Sequence, residues 1–219
     1  MASSTSQVIR DQHASIAAVL HSVSMMVDHG PGDEPERFFD VLRAMLFYID
    51  EFPERQHHPR ESDLLFPKLL RVAPELMPVI EGLEADHMKG EGKVRALQHL
   101  LLAWELLGES RRLAFEQAAR EYVRFYLDHM RCEETELLPT AQRLLTAADW
   151  VELDAAFLCA PDPLGPGARD PSFDRLFARI VLTAPAPIGV GRSFHAMDAS
   201  QSAPQPGFPS SRGRVSTGQ

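Results

Sequence analysis

A chain of 219 residues, 44% of them hydrophobic, is long enough to bury one sizeable core and to carry an appendage. Its formal net charge of -9 argues against a nucleic-acid partner and disfavours acidic substrates, because no Lys/Arg cluster is long enough to make a basic face. Cys132 and Cys159 are too few for a disulfide framework and too far apart for a CxxC motif. The start, MASSTSQVIRDQ, lacks the pattern of a secretory signal and no apolar window reaches the length of a membrane span, so a soluble cytoplasmic protein is expected.

From Val8 to about Asp28 the residues Ile9, Ile16, Leu20, Val23 and Val27 recur at three and four, the stripe of an amphipathic helix, and His13 sits inside it. HGPGDEP then punctuates the chain, and a second stripe runs through Phe38, Val41, Leu42, Met45, Tyr48, Ile49 and Phe52. Pro53 and Pro59 predict a kink or short break between Glu51 and Arg60. A third stripe begins near Glu75 and passes Val79, Ile80, Leu83, Val94, Leu97, Leu101 and Trp104, with His87 and Glu91 within it. A fourth, roughly Glu109 to Leu145, carries Phe115, Ala118, Tyr122, Phe125, Tyr126, Leu137 and Leu138, with His129 and Glu133 among them.

Alternation of strand type is absent, so the expected fold is all-α: an up-down-up-down antiparallel four-helix bundle over residues 1–147. DWVELDAAF reads as a short helix capped by Asp149 and PSFDRLFARIV as another capped by Ser172, together a helical extension over 148–183 on the outside of the bundle. Over 184–219 the chain turns to Pro, Gly and Ser, and a flexible tail is expected.

Two residues four apart on a helix differ by about 40° in direction and about 6 Å along the axis, so both reach one point in a bundle core. His57 and Glu61, His87 and Glu91, and His129 and Glu133 each read HxxxE on a different helix, and the first helix adds His13. Any one such pair is more often a solvated, hydrogen-bonded pair. Four helices burying such groups together incur a large desolvation penalty, which a shared cation removes. Four imidazoles and three carboxylates exceed what one tetrahedral zinc uses, and calcium and magnesium prefer an all-oxygen shell. A pair of six-coordinate irons with a bridging oxygen accepts the set and leaves one position open. His58, three residues before Glu61, competes with His57; the regular spacing favours His57, with His58 turned outward or standing behind a ligand.

The histidine of the first helix, HHPRE with DLLFP, DHMKGE, and YLDHMRCEETELLP, spread over residues 8–146, resemble the hemerythrin-like family of HHE cation-binding domains. The resemblance implies a four-helix bundle around a non-haem centre of two iron ions (Fe2+/Fe3+) that binds oxygen. It also implies the ligands His13, His57, Glu61, His87, Glu91, His129 and Glu133. Oxygen-carrying members have a second histidine on the third helix where this chain has Glu91, and their last carboxylate lies one residue further from its histidine, which makes Glu134 a competitor of Glu133. An added carboxylate at the metals favours the ferric state and disfavours reversible oxygen carriage.

The expected function is non-catalytic binding of oxygen, nitric oxide or peroxide at the open iron position, for sensing, carriage or detoxification. A di-iron peroxidase or oxidase is the alternative, or an iron or redox sensor acting on a protein partner through the C-terminal tail. Tyr122 and Tyr126 read as core residues able to hydrogen-bond a ligand glutamate or bound oxygen, and Cys132 as a small buried hydrophobe rather than a ligand. Met25, Met26, Met45, Met77 and Met88 read as packing, and His21, His29, His99 and His195 as surface or supporting residues.

Overall fold

A computed structural model of the chain describes residues 4–159, 162–164 and 174–184. Four long helices dominate it: α1, Ser4–His29; α2, over 35–72; α3, Met77–Leu107; and α4, over 112–144. Two glycines end helices in the left-handed region that favours glycine. Gly30 (φ 71°) closes α1 by donating its N–H to the Met26 carbonyl at 2.9 Å, and Gly108 (φ 83°) closes α3 by donating to the Trp104 carbonyl at 2.9 Å. The connections they start are short, so successive helices run antiparallel: α1 packs on α2 and α4, α2 on α3, and α3 on α4. The described residues form no strand, and no helix among them is long and apolar enough to cross a membrane.

Between Glu51 and Arg60, where a kink or short break was expected, the helix does not end but departs from regular α geometry. The chain continues through a π-helical turn, Asp50–His57, one α turn, His58–Arg60, and a second π-helical turn, Glu61–Leu65. A matching wide turn, Glu133–Leu137, interrupts α4. Each wide turn ends two residues before a proline (Pro59, Pro67 and Pro139). A proline ring collides with the carbonyl four residues back and offers no N–H, and the wider turn accommodates both without ending the helix.

Two apolar clusters fill the bundle. One holds Ile16, Leu20, Phe38, Leu42, Tyr48, Phe52, Val94, Trp104 and Phe115; the other holds Ile9, Leu65, Phe66, Leu69, Leu83, Leu137, Leu138 and Phe157. In each helix the polar residues with chemistry fall at the waist between them: His13 between Ile9 and Ile16, His57 to Glu61 between Phe52 and Leu65, His87 between Leu83 and Val94, and His129 with Glu133 between Tyr126 and Leu137. Met26 and Met45 are buried as expected, whereas Met25, Met77 and Met88 are exposed and pack no core.

The short helix α5, Ala147–Leu158, lies against α1. Its N-cap is Thr146 rather than Asp149. Asp149 stands three residues on and closes a capping box, accepting the Thr146 N–H at 3.0 Å while Thr146 Oγ1 accepts the Asp149 N–H at 3.3 Å. A further short helix, α6, Asp174–Ala178, continues as a wide turn, Arg179–Thr183, that packs on α2. The Ser172 cap, His195 and the tail beyond residue 184 lie outside the described residues.

Trp104 is 1% exposed and meets Phe38 and Phe39 edge-on, with ring centroids 5.4 and 5.2 Å away. Trp104→Ala is predicted to lower the unfolding free energy by about 3–5 kcal/mol in denaturant titrations. Metal content should stay unchanged, because the residue belongs to the cluster's interior and not to the waist.

Candidate metal centre

The waist gathers side chains from all four long helices. His13 Nε2 lies 3.1 Å from His57 Nε2, and His87 Nε2 lies 3.1 Å from His129 Nε2. Two imidazole nitrogens held side by side on one ion at about 2.1 Å are roughly 3 Å apart, so each pair is spaced as if around a cation.

Glu61 and Glu133 link the two pairs. Glu61 Oε1 is 3.3 Å from His57 and 3.9 Å from His13, and its Oε2 is 3.8 Å from His87. Glu133 Oε2 is 3.3 Å from His13, and its Oε1 is 3.3 Å from His129 and 3.8 Å from His87. Each carboxylate thus turns one oxygen to each histidine pair. All four oxygens are buried without a hydrogen-bond partner. Such atoms are rare in a folded interior, and a cation is the partner that fits them. Two overlapping donor groups result, His13, His57, Glu61 and Glu133, and Glu61, His87, His129 and Glu133, in each of which the donor atoms lie within 4.8 Å of one another.

Side chains behind the imidazoles hold three of them in place. Glu134 Oε1 is 3.0 Å from His13 Nδ1, Gln12 Oε1 is 2.8 Å from His57 Nδ1, and Ser62 Oγ is 2.9 Å from His87 Nδ1 while donating to Glu84 at 2.9 Å. Glu134 therefore supports His13 from outside and does not replace Glu133 in the donor groups. Such outer partners fix ring orientation at metal sites.

Glu91 does not join the cluster. Its side chain is 48% exposed and pairs with Arg95 one turn on. On α3 it is Gly90, not Glu91, that faces α2, and a Cβ there would lie 2.7 Å from Glu54 Oε1. The imidazole that stands nearest instead is His58. It is 4% exposed rather than turned outward, stacks on His87 with centroids 4.1 Å apart, and forms a third donor group with His87 and His129. Tyr126 hydrogen-bonds to His58 Nε2, and Glu54 Oε2 lies 3.2 Å from His58 Nδ1 and accepts from the Tyr122 hydroxyl at 3.0 Å through Oε1. Both tyrosines are buried and reach polar groups of α2. Sequence reasoning missed Glu54, Gln12, Ser62 and Glu84. For Glu54 a signal existed in its four-residue spacing to His58, the reverse of HxxxE.

The charges adjust to this burial. Burial pulls the His13 imidazole down, but the close approach of Glu133, the hydrogen bond to Glu134 and the charges of Glu133 and Glu61 outweigh that and raise it to about 10. His129 is also raised, burial being overcome by Glu133 and then Glu61 and Asp86. Against burial, the charge of His129 and the close approach of the His129, His13 and His87 imidazoles hold Glu133 well below the usual carboxylate range. His58 is driven well below the histidine range by burial and by the imidazoles around it, so it is neutral. Burial raises Glu54 to about 7 in spite of the Tyr122 hydrogen bond.

Of the remaining expectations, His21, His29 and His99 are exposed. Cys132 is half-buried rather than fully buried: it packs against the second apolar cluster and borders a surface groove, with its Sγ 3.9 Å from Glu136 Oε1.

Residues 4–141 match the hemerythrin HHE cation binding domain, a span that contains every residue of the waist. No curated protein matches the chain. With buried His/Glu clusters arranged for two metals inside a matched span of this extent, the chain belongs to the hemerythrin HHE cation-binding domain family.

Proposed function

We propose that the waist holds two iron ions and that the protein binds oxygen, nitric oxide or peroxide there. The observation that carries this reading is that Glu61 and Glu133 each offer one unpartnered oxygen to each histidine pair. Imidazole with carboxylate suits iron better than magnesium or calcium, and a shared pair of carboxylates argues against isolated tetrahedral zincs. His13 and His57 would hold one ion and His87 and His129 the other, with Glu61 and Glu133 within reach of both. His58, grouped with His87 and His129, would add a third imidazole to the second ion in place of Glu91 by exchanging its Tyr126 hydrogen bond for the metal, and the His13/His57 ion would then have an open position. When bound, the ions supply electrons and that open position to a small molecule. The chain's own residues bury the site between two apolar clusters and exclude bulk water from it.

Peroxide reduction is a second reading, favoured by the Tyr126, His58, Glu54 and Tyr122 network beside the centre, which is built to hold a proton. An enzyme consumes peroxide repeatedly with a reducing donor; a binding protein is spent after about one equivalent.

Three results are expected. Ferrous loading without air should reach two irons per chain, and exposure to air should develop a charge-transfer band; iron well below two with no band overturns the reading. His58→Ala should change that band and lower iron content, whereas Glu91→Ala should leave both as in the parent; the reverse ranking restores Glu91 to the centre.

The third concerns pH. His13 in the metal-free chain has its folded value raised from 6.5 to about 10, so its contribution to stability is complete below 6.5 and is lost as pH rises through about 10. Thermal melts of metal-free protein should therefore show stability falling from pH 6.5 to 10. Iron affinity should rise over the same interval, because the ion must displace the proton. A metal-free chain that gains stability across that interval contradicts the His13 assignment.

A further inference from the structure

The four imidazoles that pair at the waist differ at the nitrogen turned away from it. His13, His57 and His87 each have a hydrogen-bond partner there, in Glu134, Gln12 and Ser62. His129 Nδ1 has none, and the nearest carboxylate, Asp86 Oδ2, is 3.8 Å away. It is therefore the one imidazole of the four whose outer nitrogen no hydrogen bond holds, although the residue is only 4% exposed.

His129 also borders a surface groove of about 390 Å³ between α3 and α4. Gly82 leaves the α3 wall low, and Asp86, Asp128, Cys132 and Glu136 line it with oxygen and sulfur donors. Asp86, half-buried, lies 3.6 Å from exposed Lys89, and Asp128 lies 2.6 Å from Arg131 in an exposed pair; solvated pairs of this kind are weak in water and open readily. Among the described residues, the groups of donors close enough together to hold an ion are those of the waist itself. The groove thus attracts a cation without retaining it, and its inner wall is the back of a ligand whose outer nitrogen has no hydrogen-bond partner.

We infer that this groove is the port through which divalent metal ions reach and leave the centre, with Asp86 and Glu136 passing the cation to His129. This rests on the metal-centre reading above. Gly82 supplies the test, because a Cβ there meets nothing within 4 Å and the residue is helical, so a larger side chain enters the groove without clash or backbone strain. Gly92, on the same helix and equally open, supplies the control.

The rate of ferrous uptake by metal-depleted full-length protein, and the rate of extraction from loaded protein by a chelator, are measured for the parent, Gly82→Leu, Gly92→Leu and Asp86→Asn. Uptake and extraction should both slow several-fold in Gly82→Leu and remain unchanged in Gly92→Leu, with the same final iron content in all three. Asp86→Asn should slow uptake. Parent rates in Gly82→Leu overturn the proposal. So does a Gly82→Leu protein in which azide binding to the loaded centre slows while metal exchange does not, since the groove then admits the small molecule instead. In Asp86→Asn, a lower final iron content at unchanged uptake rate makes Asp86 a support for His129 and removes it from the port. A parent chain that takes up no metal at all defeats the reading of the centre itself, a result obtained before any variant is compared.

Discussion

Four carboxylate oxygens, two from Glu61 and two from Glu133, lie buried with no hydrogen-bond donor between them. An isolated buried carboxylate is among the most unfavourable groups a protein interior can hold, and two facing one another repel. The surrounding imidazoles answer this charge in part: His13 and His129 are both shifted toward their protonated forms by these same acids. In the metal-free chain protons therefore stand where cations belong. The strain of that arrangement is borne by the apolar clusters above and below the waist, which hold the helices together irrespective of what occupies it.

The wide helical turns are the local device that makes the waist work. Asp50–His57 and Glu61–Leu65 flank the His58 turn, and Glu133–Leu137 opens with a bridging carboxylate. In a regular α-helix adjacent residues point about 100° apart. Re-phasing α2 by two wide turns keeps Glu54, His57, His58 and Glu61 all buried on one helix. Without it, one of the histidines would face solvent, as the regular spacing implied.

Much of this was legible in the residues. The four apolar stripes mark the four helices, and the HxxxE pairs of α2 and α4 together with His13 and His87 mark the waist, because helical periodicity governs both. What was not legible depended on departures from regular geometry or on contacts across the bundle. Pro53 and Pro59 read as a kink or short break, which hid Glu54 from the helix it belongs to. Glu91 keeps the correct spacing from His87, yet α3 presents Gly90 to α2 where Glu54 fills the space, and Arg95 offers Glu91 a partner in solvent. Spacing within one helix cannot report which residue its neighbour leaves room for. Thr146 likewise displaced Asp149 as a cap because the reciprocal hydrogen bonds of a capping box need both residues.

The most direct test of a shared two-metal site is the distance between the ions, read by X-ray absorption on the iron-loaded protein. Carboxylates that span both histidine pairs require a second metal within about 4 Å of the first. An iron neighbour at that range, with mixed nitrogen and oxygen ligation, is the predicted result. An iron spectrum with no metal neighbour, or ligation without imidazole, contradicts the account.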